Sequence, residues 1–152
     1  MSASFVGQWN ALPWMRWAGA RILSEEDGAV RLELVVGEHH RGGANTPAIN
    51  GAIISYLHDI AGGAAVRSKA GDVSAIATIS LSIHFIDLVQ VENALYVDGN
   101  AIRVGSSVGF AESTVRDDAG RICSTASGSF RIFRRRTAQA PHAVGVLGGA
   151  AP

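Results

Sequence analysis

The apolar positions of this chain change period twice, and the changes divide it into elements. Between Ala18 and Val36 the period is two. Val30, Leu32 and Leu34 alternate with Arg31 and Glu33, the pattern of a strand with one buried face. Ala18 to Leu23 and Ala29 to Val36 are predicted as a hairpin turning through Ser24-Glu25-Glu26-Asp27-Gly28, with Gly28 supplying a left-handed conformation. From Ala48 the period becomes helical: Ala48, Ile49, Ala52, Ile53, Tyr56, Leu57, Ile60, Ala61 and Ala64 form one stripe. Pro47 suits the entry to this helix, which is predicted to run to about Lys69 and to stop near Gly71-Asp72. Beyond it the period returns to two. Ala75, Ala77, Ile79, Leu81, Ile83 and Phe85 share one face of a long strand, and Ile76, Thr78, Ser80, Ser82 and His84 share the other. So polar a second face suggests contact with something besides bulk core. Three further strands are predicted over 93–104, 106–117 and 121–133, with turns at Gly105 and at Asp117-Asp118-Ala119-Gly120. In the last of them Ile122, Ala126, Phe130 and Ile132 are expected to face inward.

The ends are less periodic. Residues 3–10 fit a short helix presenting Phe5 and Trp9; Pro13 interrupts, and Trp14, Met15 and Trp17 follow as a cap over a core or pocket. A polar loop, Gly37 to Pro47, carries His39, His40, Arg41 and Asn45. Residues 1–136 are expected to form a single domain, and 137–152, rich in Ala, Gly and Pro without a period, a flexible tail. The element order is therefore a strand pair, one long helix and four antiparallel strands. This is an α+β layout with one helix against a curved sheet. One helix cannot cover both faces and both edges of such a sheet, so dimerisation is expected.

Composition narrows the functional classes. With 13 basic and 13 acidic residues the formal net charge is zero, which argues against a general nucleic-acid binder and favours a defined oligomer over a highly charged monomer. The one cysteine, Cys123, excludes a disulfide within the chain and fits a reducing cytoplasm; its strand-like setting suggests a buried small residue. No basic region precedes an apolar block at the start, so no signal peptide is expected. No apolar run approaches the roughly 20 residues that span a bilayer. The adjacent pair His39-His40 is expected to be solvated rather than metal-ligating, and no phosphate-loop or dinucleotide signature is present.

The chemistry concentrates on the helix. Gly51 falls near its start, where backbone N–H groups lack intrahelical partners and attract negative charge. Asp59 falls beside Ala52 and Ser55 at the border of the apolar stripe, where a carboxylate partly withdrawn from water serves well as a base. His58 is expected to point to the far side. An oxyanion donor and a carboxylate on one helix suit acyl-transfer or hydrolytic chemistry.

These residues resemble the hotdog-fold acyl-CoA thioesterases, most closely the PaaI-type branch, over about residues 15–133. In that family a His-Gly-Gly motif opens the helix and an Asp or Glu follows nine residues after the His. Here Asn50-Gly51-Ala52 occupies the motif and Asp59 the acid position. Ile60-Ala61-Gly62-Gly63-Ala64 is similar to the small-residue run after the acid. Ile79 to Phe85 is similar to the long strand, Val104-Gly105 to the following turn, and Asp118 to Ile122 to the last hairpin. The resemblance implies a hotdog fold, one long central helix wrapped by a curved antiparallel sheet. It implies hydrolysis of the thioester of a small or medium acyl-CoA, aromatic acyl groups included. Asp59 would then act as general base or nucleophile, the Gly51 N–H would polarise the carbonyl, and Thr78 would help hold the water or the acid. Asn50, in place of the His, still offers an amide donor, and Ala52 adds a methyl group where the thioester passes. Arg103, Gly105 and Ser106 fall where relatives meet the CoA phosphates and pantetheine, and the arginines at 134–136 could add phosphate contacts. Coenzyme A would be part of the substrate, with no other cofactor and no metal. The active sites would lie at a homodimer interface, with dimers pairing into a cytoplasmic homotetramer that engages neither nucleic acid nor membrane. The altered motif raises one alternative, a hotdog protein that binds acyl-CoA without hydrolysing it. A hydratase of this fold would need a differently spaced Asp and His, since adjacent His58 and Asp59 cannot face one site together.

Overall fold

Helix α3 (Gly51–Ala70) lies across the concave face of a six-stranded antiparallel sheet, and small residues let it lie close. Ala61, Ala64 and Ala65 are fully buried on its sheet-facing side. At the crossing point Gly99 approaches so closely that a Cβ there would stand 2.6 Å from the Ala61 carbonyl oxygen. The computed structural model describes residues 4–42 and 46–135.

The strands are β1 (Ala20–Glu26), β2 (Ala29–Val35), β3 (Val73–Phe85), β4 (Ala94–Val104), β5 (Val108–Arg116) and β6 (Ile122–Arg134), in the spatial order β1-β2-β4-β5-β6-β3. The core lies between sheet and helix, where Leu32, Leu34, Leu95, Val97, Val115 and Phe130 pack with Leu57, Ala61, Ala64 and Val66. Two short helices, α1 (Phe5–Asn10) and α2 (Pro13–Ala18), close one side. The sequence pattern did not indicate α2: Pro13 starts it rather than merely interrupting, because a first-turn position needs no N–H from its residue.

Four other expectations shift. The first hairpin is tighter than the polar run suggests. Pairing continues to Glu26↔Ala29, and the turn is Asp27-Gly28, with φ of 41° and 90°, the left-handed pair that a two-residue hairpin turn requires. Ala48 and Ile49 are buried but precede the helix, as Ile49 bridges Arg41 in extended backbone. The strict alternation over Ala75–Phe85 breaks at a register shift between Thr78 and Ser80, and the expected apolar face is open: on this edge strand Ile79 is 57% and Phe85 56% exposed. Ile122 is exposed while Cys123 and Ser124 are buried, because the β5–β6 register slips between Val115 and Arg116 and turns the start of β6. The tail expected at 137–152, and Asn45 and Arg136, lie outside the described residues. Among the described residues no helix is long and apolar enough to cross a membrane.

Candidate active site

The start of α3 is built to leave one donor open. Asn50 is its N-cap: its extended backbone (ψ 135°) ends the lead-in, and its side-chain oxygen accepts from the Ala52 N–H at 2.9 Å. The Ile53 and Ile54 N–H groups both reach the Asn50 carbonyl, at 3.0 and 3.2 Å. The Gly51 N–H is left without a partner among the described residues. The Asn50 N–H donates to the His40 carbonyl at 2.8 Å, and the Ser55 hydroxyl donates to the Gly51 carbonyl at 2.8 Å. The rim of the Phe85 ring lies where it would meet a Gly51 Cβ at 3.5 Å, so β3 brings an apolar shelf beside the open N–H.

His40 corrects the expectation of a solvated histidine pair. Its ring is buried, and its Nδ1 accepts from the Gly37 N–H at 2.9 Å. Burial and the adjacent His39 hold its pKa below the usual histidine value. It therefore acts as a neutral strut for the loop that delivers Asn50. Among the described residues no group of His, Cys, Asp and Glu is arranged to hold a metal ion.

Asp59 and Thr78 are brought together. The Thr78 hydroxyl, on β3 just before its register shift, donates to Asp59 Oδ1 at 2.5 Å. The pair sits in a cleft of about 350 Å³. Trp9 and Trp14 from the two short helices and Tyr56 form one wall; Ile60 and Gly63 continue along α3 from Asp59, and Ile76 and Phe130 close the sheet side. The aromatic wall is interlocked edge to face, Trp9 to Trp14 at 5.7 Å and Trp14 to Tyr56 at 6.4 Å between ring centres. Trp17 meets Tyr56 from outside at 6.3 Å and is itself mostly in solvent. Burial, and secondarily the Asp59 charge, raise the Tyr56 pKa, so its phenol stays neutral beside the carboxylate.

His58 points away from Asp59, as expected, but into the core rather than to solvent. It is fully buried between two serines. The Ser124 hydroxyl donates to the His84 carbonyl at 3.0 Å, so its oxygen accepts from His58 Nε2–H at 2.9 Å. His58 Nδ1 is then left to accept from the Ser113 hydroxyl at 2.6 Å. Burial pushes the His58 pKa down to about 4. Neither serine stood out in the sequence, nor did the Gly63, Ile76 and Phe130 side of the cleft; of its lining, the sequence marked Asp59, Thr78 and the tryptophans.

The expected site residues do not all meet within one chain. Gly51 and Asp59 are eight residues apart on one helix, roughly 12 Å along its axis. Arg103, Gly105 and Ser106 lie beyond its other end. There Arg134 donates to the carbonyls of Ser106 (3.1 Å), Ala70 (3.2 Å) and Gly105 (3.4 Å), tying the β4–β5 turn to the last turn of α3. That places the turn roughly 16 Å along the axis from Asp59. Arg134 is thus engaged in bracing, while the Arg103 side chain is exposed.

One central helix wrapped by a six-stranded antiparallel sheet, with a lone acid midway along it, is the hotdog architecture of thioester hydrolases. Solved structures share it. A thioesterase family protein of Silicibacter pomeroyi superposes with a TM-score of 0.78 at 20% identity, covering 86% of this chain and 97% of that one. The Escherichia coli PaaI protein of the phenylacetic acid degradation operon gives 0.73 at 15% identity, covering 83% and 88%. A hypothetical thioesterase of Streptococcus pneumoniae solved with coenzyme A gives 0.67 at 19%, covering 78% and 88%. By sequence, the thioesterase superfamily profile matches residues 47–124. A protein of Halobacterium salinarum provisionally described as an esterase is 33% identical over 129 residues, 79% of this chain and 84% of that protein. The chain belongs to the thioesterase superfamily, and is a thioester hydrolase.

Proposed function

We propose that this chain hydrolyses a small or medium acyl-CoA, aromatic acyl groups included, with Asp59 activating the attacking water and a Gly51 N–H polarising the thioester carbonyl. The observation that carries this reading is the Asp59–Thr78 pair facing an apolar cleft. Thr78 occupies one carboxylate oxygen and fixes the plane of the group, leaving Oδ2 to take a proton from water. Water attacks the carbonyl carbon, the oxyanion that forms is held by the Gly51 N–H and the positive end of α3, and the C–S bond breaks to release the coenzyme A thiolate, which takes up a proton. The Asn50 side-chain NH₂ adds a donor at the same helix end, since capping uses only its oxygen.

The roughly 12 Å between Gly51 and Asp59 is too far for both to serve one carbonyl, because an oxyanion donor must stand about 3 Å from the oxygen it stabilises. A second copy resolves this. Strand β3 is a 13-residue open edge with exposed Ile79 and Phe85, a surface suited to pairing with its own copy. A two-fold pairing there would bring the Gly51 end of one helix toward the Asp59 of the other.

The test is turnover on a panel of acyl-CoA thioesters by wild type and Asp59→Asn, with thiol release as the signal. Wild type should turn over at least one member, and Asp59→Asn should lose about 10²- to 10⁴-fold in kcat while keeping its fold. Equal rates for the two proteins, or binding of acyl-CoA with no turnover by wild type, would defeat the proposal; the second result would leave a binding protein.

A further inference from the structure

Gly62 and Gly63 stand side by side in the middle of α3, where glycine is a far poorer helix former than alanine. Packing accounts for the first. A Cβ on Gly62 would come within 2.5 Å of Phe130 Cζ, so the buried ring would have to shift. Packing does not account for the second. A Cβ on Gly63 would find its nearest neighbours at 3.8 and 3.9 Å on the Phe130 ring and at 4.0 Å on Ile76 Cγ2, all ordinary contacts. A methyl group fits at position 63, the helix favours one, and the chain has none.

The space left open belongs to the cleft that holds Asp59. Gly63 lies one helical turn beyond the carboxylate on the same face, about 6 Å along the axis. Between them runs Ile60; Ile76 and Phe130 lie on the sheet side, and Trp9, Trp14 and Tyr56 complete the lining. Past Asp59 and Thr78 the lining side chains are hydrocarbon apart from the Tyr56 phenol and the indole N–H groups of the tryptophan wall. A substrate whose thioester stands at Asp59 therefore extends an apolar group toward Gly63, and a pocket of this kind is shaped by its walls rather than by directed hydrogen bonds.

We infer that Gly63 is the specificity-determining floor of the acyl pocket, and that the enzyme favours acyl groups bulkier than acetyl, whose far end rests on Gly63 between Phe130 and Ile76. This rests on the hydrolytic role proposed for Asp59. Side chains added at position 63 should shorten the pocket in steps without disturbing Asp59 or Thr78.

The experiment measures kcat/KM for acetyl-, butanoyl-, hexanoyl- and benzoyl-CoA with wild type, Gly63→Ala and Gly63→Val, together with each protein's melting temperature. The ratio of hexanoyl to acetyl kcat/KM should fall by about 10-fold or more in Gly63→Ala, since one methylene in an apolar pocket is worth about 10- to 200-fold in discrimination. It should fall further in Gly63→Val. Gly63→Ala should also melt higher than wild type, which a glycine required for packing would not allow. An unchanged ratio, or a parallel loss on all four substrates as expected if the cleft held the pantetheine arm, would overturn the inference while leaving the hydrolytic reading intact. A lower melting temperature for Gly63→Ala would also overturn it. No turnover by wild type on any of the four would overturn both readings together.

Discussion

His58 makes the stability of this protein depend on pH in a window where a surface histidine would have little effect. Its ring is fully buried, both nitrogens are committed to serine hydroxyls, and its pKa lies at about 4 against 6.5 in an unfolded chain. The sign follows directly. Between these values the unfolded chain holds a proton at position 58 that the folded chain refuses, so the unfolded state gains as pH falls. Stability is therefore full above about pH 6.5 and is lost progressively down to about pH 4, where the folded form also protonates. The drop from 6.5 to about 4 corresponds to about 3 kcal/mol over the whole window, most of it between pH about 7 and about 4.5. Carboxylates titrate in the same range, so the measurement is a comparison. Urea unfolding of wild type and His58→Gln is followed at both pH values and at equal ionic strength. Glutamine keeps one donor and one acceptor for the two serines but does not titrate. Wild type should lose about 2 kcal/mol more than the variant on acidification, a midpoint shift of about 1 M urea at a typical slope. If the two proteins lose stability in parallel, His58 does not refuse the proton, and the buried neutral ring inferred from its hydrogen bonds is wrong.

Two further outcomes follow from the start of α3. Gly51→Pro should fold, because Asn50 already has extended backbone and proline is favoured at the first helical position, but it removes the N–H proposed for the oxyanion; kcat should fall about 10²- to 10³-fold with the urea midpoint held or raised. A fully active Gly51→Pro would assign carbonyl polarisation to another donor. Asn50→Ala removes the cap on the Ala52 N–H and should cost about 1 kcal/mol in unfolding free energy; no change would mean that water serves the cap equally well.

Local periodicity revealed the long helix and its acid, because a 3.6-residue stripe is a property of neighbours in sequence, but it began the stripe at Ala48, ahead of the Gly51 where the helix starts. It revealed the succession of strands along the chain for the same reason, but not their spatial order, in which β3 pairs with β6 at the edge of the sheet. It did not reveal where the alternation slips. The shift between Thr78 and Ser80 is set by how β3 pairs with Phe130 and Ser129 on β6, and the shift that exposes Ile122 by how β6 pairs with β5. The polar run Ser24 to Gly28 resembled a loop because outward-facing strand residues are polar too, and only the pairing shows that the strands continue to a two-residue turn. Residues whose partners lie far along the chain were the least legible: His58 meets serines 55 and 66 residues away.

That distant contact also explains why the acid stands where it does. Successive residues on an α-helix are about 100° apart around its axis, so α3 could in principle present either residue 58 or residue 59 to the cleft. Apolar packing alone fixes such a rotation less strictly, since half of the buried residues of α3 are alanine or glycine, which offer few distinctive shapes. His58 fixes it more strictly. Its two ring nitrogens bond outward to β5 and β6, and rotating it away would strand the buried Ser113 hydroxyl as well as the ring, and leave Ser124 only its bond to the His84 carbonyl. With position 58 held against the sheet, position 59 is turned to the flank, where β3 supplies Thr78. The charged residue that does the proposed chemistry is thus aimed by its neutral neighbour, and the low pKa that keeps this neighbour neutral follows from the same burial.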